Sequence, residues 1–135
     1  MEKVFVDTNI VIDLLAKREP FYKDAQHLFT LSDKQEIELQ ISALTFANAY
    51  YSIVKHHKSV DVIKYLLKLK VLVNILPLED KVIDLALSSD FSDFEDGLQY
   101  YTAVEHKAAI IITRNKRDFK HSNIPVMSAG EYLKR

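Results

Sequence analysis

The chain has 135 residues, 48% of them hydrophobic, and its 18 Lys and Arg against 19 Asp and Glu leave a formal net charge of −1. That size and apolar content suit a single domain over 1–135 with a real core, while the near-neutral balance excludes an overall basic footprint, so any RNA contact must be local. Without cysteine there is no disulfide, thiolate zinc site or cysteine nucleophile, as suits a reducing cytoplasm, and no apolar run reaches membrane-spanning length.

Lys3 to Val6 is short, β-branched and apolar, which predicts a buried first strand. Ile10, Leu14 and Leu15 then recur at helical spacing, and Pro20 breaks the chain before a second helix containing Ala25, Leu28 and Phe29. Ile37, Leu39 and Ile41 alternate with polar residues, as in a second strand. Leu44, Ala47, Tyr51 and Val54 line one face of a third helix that ends at Lys55-His56-His57-Lys58. A fourth helix opens near Ser59 with Val62, Ile63, Leu66 and Leu67 inward. Val71 to Leu76 reads as a third strand stopped by Pro77. Leu78 to Leu87 is a short helix, and Ser92 with Glu95 forms a capping-box pattern opening another through Lys107. Ala109 to Ile112 is a continuous apolar run suited to a central strand. Ile124 to Met127 suits an edge, since Pro125 lacks a donor, and a closing helix starts about Ser128. Strands alternating with helices imply an α/β fold with a parallel sheet covered on both faces.

Acidic residues fall where such a sheet binds ligands, beyond the carboxyl ends of its strands. Asp7 ends the first strand, where it either caps the next helix, with help from Thr8 or Asn9, or faces the crevice. Asp96 shares a face with Tyr100 and Ala103, and an inward carboxylate is costly unless paired or metal-bound. Asp93 beside it suits a cap or a supporting partner equally well. Asn115 and Asp118 lie in the loop after Ile112, where such residues also serve turns. Asn48 sits on the Leu44–Val54 face as a core amide or as a neutral group toward the crevice. Crowded carboxylates repel unless a hard cation joins them, and oxygen ligands suit Mg²⁺ or Mn²⁺. The chemistry this favours is metal-assisted attack on a phosphodiester.

Four segments resemble a PIN domain in the same order and over nearly the whole chain. They are Val6-Asp7-Thr8-Asn9, Ile41-Ser42-Ala43-Leu44-Thr45, Asp93-Phe94-Glu95-Asp96-Gly97-Leu98-Gln99, and Ile112-Thr113-Arg114-Asn115 with Asp118-Phe119. The length is similar to that of single-domain, VapC-like toxins. The resemblance implies a three-layer α/β/α fold with a mostly parallel central sheet and Mg²⁺- or Mn²⁺-dependent endoribonuclease activity. It also implies RNA as substrate and an antitoxin as partner, with a homodimer as a further assembly. By position, Asp7, Asp96 and Asp118 match the catalytic, metal-binding acids and Asn115 the polar residue before the last. Asn48 stands where the family usually has Glu. Thr8 or Thr113 would position water or a phosphate oxygen, and Arg114, Lys116 and Arg117 would hold the RNA backbone. The neutral residue at 48 keeps an alternative open: a catalytically weakened nucleic-acid-binding or protein-interaction domain on the same fold. A receiver-like phosphoryl acceptor would need an Asp ending the third strand, and Val73 to Pro77 has none.

Overall fold

Alternation along the strands decides which side each residue faces. In the computed structural model, which describes Met1 to Arg135 throughout, β1 (Lys3–Val6) buries Val4 and Val6 on one side and Phe5 on the other. β2 (Glu38–Ser42) turns Leu39 and Ile41 the same way as Val4, and β4 (Ile110–Ile112) does so with Ile110 and Ile112. With β3 (Asn74–Leu76) and β5 (Val126–Met127), the sheet order is β3-β2-β1-β4-β5, and every pairing is parallel.

Helices cover both faces. The larger core joins Val4 and Val6 to α1 (Thr8–Leu15), α2 (Tyr22–Asp33), α3 (Ala43–His56), α4 (Val62–Leu72) and α7 (Ala129–Leu133). On the opposite face, α6 (Phe94–Glu105) packs Tyr100 and Ala103 against Phe5 and Ile111, and α5 (Asp80–Leu87) packs Val82 and Ala86 on Leu98. The expected three-layer arrangement is therefore present, with β5 on the edge as Pro125 predicts. No helix is long and apolar enough to cross a membrane.

Strand order reverses between β1 and β4, and this opens a crevice beyond their carboxyl ends. Val6 pairs with Ile112, so Asp7 and Thr113 emerge side by side, and the Asp7 N–H donates to the Ile112 carbonyl at 2.9 Å.

Several local expectations are corrected. The inward residues of α3 are Thr45, Ala49 and Ile53, whereas Ala47, Tyr51 and Val54 face solvent. In α4, Val62 and Leu69 are buried while Ile63 and Leu67 are exposed. Both helices carry apolar residues on nearly every face, so periodicity leaves their phase open. α4 starts at Val62 on an Asp61 cap rather than near Ser59, and it takes Val71 and Leu72 from the expected third strand.

Candidate active site

Asp7 holds both positions left open by the sequence. Its Oδ1 accepts the Thr8 N–H at 2.9 Å at the start of α1, and its Oδ2 accepts the Thr113 hydroxyl at 2.8 Å. Thr113 also accepts the Asn115 N–H at 3.1 Å, which ties the loop after β4 to the same carboxylate. Burial raises the Asp7 pKa against those two hydrogen bonds, and the charges of Asp118 and Glu95 push it further up.

Asp93, not Ser92, caps α6: its Oδ1 accepts the Asp96 N–H at 3.0 Å. The cap thus lies one residue later than the sequence pattern suggests, and Asp93 serves the helix start. Asp96 sits in the first turn, half-buried, with its pKa pushed up to about 7 by burial and then by Asp93, Asp118, Asp7 and Glu95. Asp118 is exposed in the 3-10 turn Lys116–Phe119, held by the buried Phe119 ring and by its own N–H to the Asn115 carbonyl at 3.0 Å. Asp118 raises the pKa of both Asp7 and Asp96, and Asp7 raises that of Asp96, so the three carboxylates are near enough to repel one another. No three Asp, Glu or His side chains are drawn together at metal-ligating distance. Hard oxygen donors that crowd into like-charge repulsion are nevertheless the donor set a small divalent cation suits.

Beneath the crevice lies a buried polar cluster that sequence reasoning missed. The Gln99 Oε1 accepts the Ser42 hydroxyl at 2.6 Å, and its Nε2 donates to Thr45 at 2.9 Å and Thr8 at 3.1 Å. Thr8 and Thr45 also share a hydrogen bond at 3.0 Å. Thr8, half-buried at the start of α1, is thus tied to Thr45 in the first turn of α3 and to Gln99 in the middle of α6. Asn48 is a rim residue, not a core amide: its Nδ2 donates to Glu95 Oε1 at 2.6 Å. Polar residues on otherwise apolar helix faces (Thr45, Gln99) were the available signal, since buried polar groups require partners.

The basic residues divide. Arg114 is committed elsewhere: its Nε donates to Asp13 Oδ2 at 2.8 Å, its Nη2 reaches Asp13 Oδ1 at 3.1 Å, and its guanidinium stacks 3.9 Å from the Phe21 ring centroid. Fully buried Asp13 thus pairs with both Arg114 and Arg18. Lys116 pairs with Glu131 at 2.9 Å, but both side chains are about half exposed, so the pair is weak and readily opened. Arg117 is exposed without an ion-pair partner.

The raised Asp96 pKa gives the metal-free protein a pH signature. Between the ordinary value of 3.8 and about 7 the folded state keeps a proton that the unfolded chain has lost, so stability falls as pH rises through this window and levels off above it. In EDTA, thermal midpoints should decline from about pH 5 to pH 7, and Asp96→Asn should flatten the decline. Equal slopes in the two proteins would remove Asp96 as its cause.

Residues 3–117 match a family model described as PIN domain. Ribonuclease VapC1 of Aquifex aeolicus (strain VF5) is 29% identical over 142 residues, spanning 99% of this chain and 95% of that protein. Among solved structures, FitAcB from Neisseria gonorrhoeae superposes with a TM-score of 0.71 at 17% identity over 94% of this chain and 98% of its own. VapBC2 from Rickettsia felis, bound to a DNA fragment from its promoter, gives 0.68 at 18% identity over 93% and 97%. Mycobacterium tuberculosis VapC20, described as a Sarcin-Ricin loop cleaving toxin, gives 0.62 at 13% identity over 80% and 86%. At these identities the structural likenesses concern the fold.

Proposed function

The chain belongs to the PIN domain family, and on that premise we propose that it is a Mg²⁺- or Mn²⁺-dependent endoribonuclease, the toxin of a toxin–antitoxin pair, working in the cytoplasm as a single domain. The observation that supports the reading is the mutual repulsion of three acids: burial first, then neighbours that include Asp118 and Asp7, push Asp96 up to about 7, and Asp118 also raises Asp7. These three carboxylates would hold the cation. The chemistry supplied by a cation held there would be polarisation of the scissile phosphate and a lowered pKa for an attacking water. Thr113 orients Asp7 through the 2.8 Å hydrogen bond, and Asn115 is tied to the same hydroxyl at 3.1 Å. Arg117 is free to meet a flanking phosphate, and Lys116 can join it by leaving Glu131.

A protein partner is supported by Ile63, Leu67 and Val71, which recur one turn apart along the exposed side of α4 and are 56%, 65% and 84% exposed. An antitoxin would cover such a side; a second copy of the chain is the other occupant, and the mass of the isolated protein in solution separates the two.

A mixed RNA pool incubated with Mn²⁺, Mg²⁺ or EDTA tests the activity. Cleavage should appear with a divalent ion and vanish with the chelator. RNA retained on the protein but uncut under every condition would instead favour the binding-module reading, for which the neutral Asn48 speaks.

A further inference from the structure

We propose that Gln99 is a positioning residue of this crevice: it fixes α6, and with it Asp96, against Asp7 across the carboxyl edge of the sheet. The inference rests on the metal-dependent reading above.

The two acids belong to opposite layers. Asp7 caps α1, which packs on the face of Val4 and Val6, whereas Asp96 rides on α6, whose Tyr100 and Ala103 pack on Phe5 from the other face. Their separation therefore depends on how the layers are joined at this edge. Gln99 makes such a joint. It lies one helical turn after Asp96 on the same side of α6 and is 2% exposed. Its Oε1 accepts the Ser42 hydroxyl at 2.6 Å, and Ser42 in turn accepts the Thr45 N–H at 3.2 Å as the cap of α3. Its Nε2 donates to Thr45 and to Thr8, and the Thr8 N–H donates to Asp7 at 2.9 Å. The turn of α6 that carries Asp96 is thus tied, through Gln99 and Thr8, to the residue that holds the Asp7 carboxylate.

The residue type is informative. An amide offers an acceptor for Ser42 and two donors for the threonines; glutamate lacks the donors, and methionine offers only a weak acceptor. Leu98, Tyr100 and Ala103 already anchor α6 by apolar contact, so burial alone does not call for a polar residue at 99. A buried polar group costs stability unless its partners are in place, and a network with its partners in place favours one arrangement. The Asn48–Glu95 hydrogen bond also joins α3 to α6, but it is exposed, and water competes for it. Gln99 is the support that solvent does not loosen.

Calorimetric titration of the full chain with Mn²⁺ tests this without any RNA. Gln99→Met fills a similar space without donors; Thr45→Val removes the hydroxyl that Gln99 meets, and Thr45→Ser keeps it. Thr45 is fully buried, so these changes do not act by touching a ligand. Mn²⁺ affinity should fall by about tenfold in Gln99→Met and in Thr45→Val, and return in Thr45→Ser. Ile53→Val, a buried substitution toward the other end of α3, is the control for lost packing: it should lower the melting temperature yet bind Mn²⁺ as wild type does. Wild-type affinity in folded Gln99→Met and Thr45→Val overturns the positioning role and leaves the metal-dependent reading intact. An equal loss in Ile53→Val overturns it too, by tracing the effect to stability alone. If Gln99→Met does not fold, Thr45→Val beside Thr45→Ser decides. No Mn²⁺ binding by wild type overturns the metal-dependent reading, and this role with it.

Discussion

Asp13→Ala is expected to lower folding free energy by about 3 kcal/mol, the largest single-residue loss outside the hydrophobic core. Asp13 is fully buried in α1, and Arg18 and Arg114 donate to it at 2.8 Å each. Removing one member of such a cluster leaves the others uncompensated, which in buried sites costs about 3–5 kcal/mol. The lower end applies here because the two arginine side chains are 30% and 28% exposed and regain some water. Urea unfolding measures the loss directly. A midpoint shift no larger than that of a surface substitution would mean that the cluster is solvated and contributes little. The variant should also impair the crevice, since Arg114 directly follows the Thr113 that holds Asp7.

Asp13 also marks where reading the sequence stops. β1 and β4 were legible because buried parallel strands are short unbroken apolar runs, and the acids after them stood out against those runs. Asp7 and Asp118 stand out for that reason, and Asp96 because it shares a helix face with Tyr100 and Ala103. Asp13 lies between Ile12 and Leu14, and a single charge in an amphipathic helix ordinarily faces solvent; its burial is tolerable because Arg18 and the distant Arg114 both pair with it. The same long-range dependence hid Gln99, whose three partners come from α1, β2 and α3. α3 and α4 misled for the opposite reason: so many of their residues are apolar that their exposed sides, including Tyr51 at 69%, resemble core faces. Asn48 was assigned to such a face, and its contact with Glu95 depends on a packing distance that no local pattern encodes.

Asp7→Asn is expected to reduce RNA cleavage by about a thousandfold while leaving the fold intact. A carboxylate that holds the cation contributes to stabilising the charge that develops on the phosphate. Loss of several kcal/mol of that stabilisation corresponds to about three orders of magnitude in rate. The fold should tolerate the change because asparagine retains an oxygen for the Thr8 N–H, now 2.9 Å from Oδ1. At the other position the new amide can donate to the Thr113 hydroxyl, whose oxygen accepts when its own proton turns away. Neutralisation also removes a buried charge whose pKa is raised by burial and by Asp118 and Glu95. In EDTA near pH 7 the variant should therefore melt at or above the wild-type temperature, and added Mn²⁺ should stabilise wild type more than the variant. A variant that unfolds would show that Asp7 matters chiefly as the cap of α1. A folded variant that cuts RNA at the wild-type rate would remove Asp7 from the metal site.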